Sequence, residues 1–85
     1  MAKINVIGIF VGDRQQESLE VQKILTTHGC SIKTRVGLHE VTNEFCSTGG
    51  LILLELTGDV KEQDNLIQAL ERINNIQVKK MEFSV

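Results

Sequence analysis

From Lys3 to Val11 the side chains are mostly β-branched or large and apolar, and the run halts at Gly12-Asp13, where apolar residues begin to recur at helical spacing. That change of period, from an extended run to one near 3.6, marks a strand, a turn and a helix. Asp13 can cap the helix through its carboxylate, with Gln16 three residues on as the partner of a weak capping box. Val21, Ile24, Leu25 and His28 form the stripe, and Gly29 is predicted to end it from the C′ position. Ser31 to Glu40 alternates, with Ile32, Thr34, Val36 and Leu38 expected on one face and Lys33, Arg35 and His39 on the other. "GGLILLELTG" supplies a third strand, Asp59 with Glu62 makes a better capping box, and Leu66, Ile67, Leu70 and Ile73 make the stripe of a second helix. Asn74-Asn75 stops that helix, because asparagine tolerates the left-handed conformation. Ile76 to Phe83 reads as a fourth strand whose alternation slips around Lys79-Lys80, where a bulge is expected.

The order is therefore β-α-β-β-α-β over residues 1–85, one domain. Right-handed crossovers put both helices on one face of a four-stranded antiparallel sheet, an α+β sandwich of the ferredoxin-like kind. Ile32, Val36, Leu54, Leu66 and Leu70 are the expected core. The opposite sheet face is left without helices, yet strands one and three carry apolar residues at consecutive positions, Val6, Ile7, Ile9, Phe10 and Val11 in one and Leu51 to Leu54 in the other. A bare apolar face of several hundred Å² is unusual on a lone monomer, so a homodimer or higher even oligomer is expected.

Composition narrows the function classes. At 85 residues the chain buries roughly 60 to 65% of its unfolded surface, too little to enclose a deep enzyme cleft in one protomer. The net charge is -2 with acids and bases interspersed, so no basic stripe exists to displace counterions from nucleic acid. No apolar run approaches the twenty or so residues of a membrane-spanning helix, and no signal-peptide pattern opens the sequence, so a cytoplasmic location is expected. Cys30 and Cys46, sixteen positions apart without a CxxC, then read as two free thiols.

"RVGLHEVTNEFCSTGG" gathers the residue types of a site: a histidine, two glutamates, a cysteine and paired glycines. A nucleophilic Cys46 would need a base within hydrogen-bond reach and an oxyanion hole, for which the glycine-rich backbone is the sole support. No helix follows the glycines to lend its dipole to a phosphate. The economical reading is the end of strand two, a polar loop, and glycines that admit strand three.

The element order, together with "TRVGLHE", "GLILLELTGD" and "ALERINNIQVKKMEF", resembles the small standalone ACT-like proteins known as regulators of iron-only hydrogenase systems. The likeness spans nearly the whole chain. It implies a regulatory, ligand-sensing module without enzyme activity, and leaves the effector and any cofactor unidentified. In ACT-type domains small effectors often bind where the loop between the first strand and the first helix meets a neighbouring subunit, which points to Gly12, Asp13 and Arg14, where first-turn amides can receive a carboxylate. Arg35 could hold such a carboxylate in two parallel hydrogen bonds. The alternatives are a transition-metal sensor that uses His39 and Cys46, with His28 as a conceivable third ligand, and a protein-interaction module that pairs through an edge strand.

Overall fold

The computed structural model describes residues 2–12, 15–38 and 50–85. Strand β1 runs over Lys3–Val11, helix α1 over Gln15–Thr27, β2 over Ile32–Leu38, β3 over Gly50–Leu56, helix α2 over Val60–Glu71 and β4 over Ile76–Ser84. The strands form one antiparallel sheet in the order β2-β3-β1-β4. This is the ferredoxin-like βαββαβ arrangement.

Parity along β1 decides what the sheet buries. Ile7, Ile9 and Val11 are buried on the helix side, and their cross-strand partners on β3 include Leu54 and Ile52. Val21 and Leu25 of α1 and Leu66 and Leu70 of α2 close over them in a single cluster, so both helices lie on the same face. Leu54, Leu66 and Leu70 are fully buried, as the sequence predicts. Ile32 is partly buried against the cluster. Val36 is not a core residue: it is 44% exposed.

The register of β2 explains that correction. Ile32 pairs with Leu56, but Thr34 pairs with Glu55 and Val36 with Leu53, so an extra residue enters between Ile32 and Thr34. A bulge of this kind reverses the parity of every later residue. Thr34 and Val36 therefore share the helix-free face with Leu53 and Glu55, whereas Arg35, opposite Leu54, lies on the helix side. The bulge expected at Lys79-Lys80 is absent, because β4 pairs with β1 in unbroken register from Val11↔Ile76 to Lys3↔Ser84. Its alternation fades for another reason. Every residue of β4 from Lys79 onward is exposed, at the sheet edge, and burial there selects for no periodicity.

Helix ends follow local chemistry. Asp59 caps α2 by accepting a hydrogen bond from the Lys61 amide at 3.1 Å, and Gly58 before it takes φ 83°, a left-handed value suited to glycine. Asn75 takes φ 68°, a left-handed value asparagine tolerates, but it does not end α2, which stops at Glu71 with Arg72 as a right-handed C-cap; Asn75 instead directly precedes β4. Gly29 does not end α1 either. The helix ends at Thr27, where the hydroxyls of Thr26 and Thr27 each donate to a carbonyl four residues back, and Gly29–Ser31 continues as one 3-10 turn. Asp59→Ala should cost about 1 kcal/mol, read as a lower urea midpoint with an unchanged slope.

Candidate functional site

The β1-α1 turn is the first place to look. Gly12 follows β1 at the C-terminal end of a central strand, half-buried, and a β-carbon added there would meet no atom of the described residues within 4 Å. Asp13 and Arg14 lie outside the described residues, as do His39 and Cys46. Arg35 does not join Gly12 within one protomer. It is exposed on β2, two strands away, in the row of Leu54 and Ile7, and Gly12 lies five residues further along β1, roughly 17 Å at about 3.4 Å per residue. The Arg35 guanidinium instead donates from Nη2 to the Gln22 side-chain oxygen of α1.

Lys33 and Arg35 consequently do not share one polar side. Lys33 Nζ stands 3.8 Å from Glu55 Oε2, and the Thr34 hydroxyl donates to Glu55 Oε1 at 3.2 Å. One carboxylate on the helix-free face is thus held from the bulge and from the strand beside it. His28 is half-buried just after α1, and Cys30 is an exposed free thiol. Among the described residues no group of three or more His, Cys, Asp or Glu is placed to hold a metal ion.

The second surface is the helix-free face itself. Cross-strand register sets out its rows: Val36, Leu53, Gly8 and Lys79 in one, Thr34, Glu55, Val6 and Met81 in the next, and Ile4 with Phe83 beyond. Leu51, Phe10 and Gln77 make a further row on the other side of Gly8. Phe10 is 49% exposed, and Met81 and Phe83 are 51% exposed each. Met81 and Phe83 lie two and three rows from Phe10 on the same face.

A buried polar pair completes the inventory, and sequence reading missed it. Asn5 on β1 donates from Nδ2 to Gln63 Oε1 of α2 at 2.9 Å, and Gln63 donates from Nε2 to the Gly58 carbonyl at 3.0 Å. Both side chains are buried between sheet and helix. The signal was present. Asn5 interrupts a run of β-branched residues, and Gln63 precedes Leu66 by three and Leu70 by seven, on the apolar stripe.

With this geometry in place, comparison with known proteins locates the fold. No family model and no curated protein matches the chain. Among solved structures, the chain is similar to an uncharacterized protein from Thermotoga maritima, with 24% identity, coverage of 98% of this chain and 100% of that one, and a TM-score of 0.77. It is also similar to the ACT domain of the GTP pyrophosphokinase of Chlorobium tepidum, with 10% identity, coverage of 93% and 96%, and a TM-score of 0.59. The apo form of CPII, a nitrogen regulatory PII-like protein from Thiomonas intermedia K12, matches at 11% identity, with coverage of 98% and 90% and a TM-score of 0.53. The architecture is ACT-like, within the ferredoxin-like class that also holds the PII-like proteins. Among the described residues no helix is long and apolar enough to cross a membrane.

Proposed function

We propose that this chain is a non-enzymatic regulatory module that senses a small ligand and works as a homo-oligomer, with an iron-only hydrogenase system as the regulated target that the sequence resemblance suggests. The observation that carries the reading is the apolar helix-free face on an ACT-like fold. A protomer of this size encloses little volume of its own, so a ligand site at the β1-α1 turn gains walls when subunits come together. Sensing then means that the ligand prefers one arrangement of the subunits over another. The nitrogen-regulatory description of the Thiomonas relative fits this class of role.

Thermal unfolding in the presence of amino acids, nucleotides and divalent metals tests the reading. A ligand at a hundredfold excess over its Kd should raise the Tm by roughly 10 to 20 °C for a domain of this length. Gly12→Leu then separates this site from others. A β-carbon at Gly12 meets no described residue and its φ is not left-handed, so the substitution should leave the ligand-free Tm nearly unchanged while removing the shift. No shift from any of the three ligand classes would overturn the sensing role; a shift that survives Gly12→Leu would move the site elsewhere.

A further inference from the structure

We propose that the free edge of β4 takes up an extended segment of a different protein as a fifth, antiparallel strand, and that this segment carries alternating apolar residues followed by two adjacent acids. The inference goes beyond the ligand-sensing reading and does not rest on it.

The backbone sets the conditions. β4 ends the sheet order β2-β3-β1-β4, so among the described residues it has a strand on one side only. Its register against β1 is unbroken over all nine residues, Ile76–Ser84. One bond fixes the parity: the Val85 amide donates to the Ala2 carbonyl at 2.9 Å. Along an antiparallel strand, residues that bond to a given neighbour alternate with residues that turn away from it. Gln77, Lys79, Met81 and Phe83 therefore direct their backbone groups to β1, and Ile76, Val78, Lys80, Glu82 and Ser84 present theirs to the open edge. The opposite edge strand, β2, is shorter and has its bulge between Ile32 and Thr34, a device that spoils pairing with a further strand. β4 has neither bulge nor proline.

Side chains say which strand fits. Met81 and Phe83 are half in solvent on the helix-free face. Toward an added strand they occupy the non-hydrogen-bonded positions, where facing side chains stand closest, so apolar residues opposite them are favoured. Lys79 and Lys80 come just before, Lys79 beside Gly8 on the helix-free face and Lys80 beside Ile7 on the helix side. Both are exposed, and neither has an ion pair among the described residues. Two adjacent acids in the added strand give each lysine a cross-strand partner.

The same charges count against other occupants. A second copy of β4 carries one acid, Glu82, and Lys3 Nζ already lies 3.2 Å from its Oε1. A wholly apolar strand would crowd both lysines without answering either charge. Lysines on an edge deter indiscriminate pairing, and here they also select: the strand that brings its own carboxylates is the one admitted.

Fluorescence anisotropy on the full chain with two labelled peptides tests this. The peptide Val-Lys-Ile-Glu-Glu-Val-Thr, antiparallel to β4, sets its first valine opposite Phe83, its isoleucine opposite Met81 and its acids opposite Lys80 and Lys79; the second peptide has lysine for both glutamates. The acidic peptide should bind at least about tenfold more tightly than the basic one, and Lys79→Glu with Lys80→Glu should invert that preference. Lys80→Pro removes an amide that faces the open edge and leaves the β1 ladder whole, as circular dichroism would verify. It should weaken the acidic peptide about tenfold beyond Lys80→Gln, which loses the charge alone. No binding of the acidic peptide up to about 1 mM overturns the proposal. So does equal binding of the two peptides, or binding that Lys80→Pro leaves no weaker than Lys80→Gln. If Lys80→Pro lowers the oligomeric state of the peptide-free chain in sedimentation velocity, the edge belongs to a second copy and the proposal fails.

Discussion

Leu70→Ala is expected to lower the unfolding free energy by about 2 to 5 kcal/mol, the sum of lost transfer energy and the cavity left behind. Leu70 has no solvent exposure and lies in the cluster that joins α2 to β1 and β3. The site has little means of collapsing around a smaller side chain, because Leu66, Ile7 and Leu54 of the same cluster are themselves fully enclosed. For a chain of this length the whole stability is roughly 5 to 12 kcal/mol, so one leucine accounts for a large share. The Tm should fall by roughly 10 to 30 °C. Urea titration at fixed protomer concentration measures it, since association would otherwise shift the apparent stability by mass action. A change below half a kcal/mol would mean that α2 does not seat Leu70 in the core.

The same burial that makes Leu70 costly makes it legible. Positions buried on one side leave a period in the sequence, and α2 carries it clearly: Leu66 and Leu70 are assignable to the core from their spacing, and Leu54 of β3 from its place in an apolar run. Val36 is not. Its parity depends on a bulge whose cause is spread over the pairing with β3, and one inserted residue moves Thr34 and Val36 to the other face without altering the apparent alternation. The same event separates Arg35 from Lys33 and draws Arg35 toward Gln22. β4 shows the opposite failure. Its irregular pattern suggests a bulge, whereas the strand is regular and simply exposed along its second half. The open apolar face is legible, since consecutive apolar residues in β1 and β3 demand cover on both sides. Of the proposed effector residues, Gly12 and Arg35 are placed by the structure and lie apart; Asp13 and Arg14 fall outside the described residues.

Asn5 and Gln63 escape such reading because a polar residue on an apolar stripe carries no mark of its partner, which here is 58 positions away. Their hydrogen bonds make an asymmetric prediction. Gln63 must turn its Nε2 to the Gly58 carbonyl, which presents Oε1 to Asn5 Nδ2 and fixes both amides. Asn5 Oδ1 is then buried without a hydrogen-bond partner among the described residues. Gln63→Met keeps the volume of the side chain but strands the buried Asn5 amide group, while the freed carbonyl of exposed Gly58 turns to water, so it should cost about 1 to 3 kcal/mol, the cost of one buried group left unsatisfied. Asn5→Val strands Gln63 Oε1 but also removes the orphan Oδ1 and suits a strand, so its cost should be smaller, about 1 kcal/mol. The double variant should recover most of the loss, because replacing both partners by apolar groups of similar shape is nearly neutral. Urea titrations of the four proteins at one protomer concentration give the coupling energy directly, expected at about 1 to 3 kcal/mol. Such a pair favours one seating of α2 over β1, since sliding the helix by a turn would bury both amides without partners. Strict additivity of the two single changes would show that apolar packing alone sets the helix in place and that the amides contribute nothing to its register.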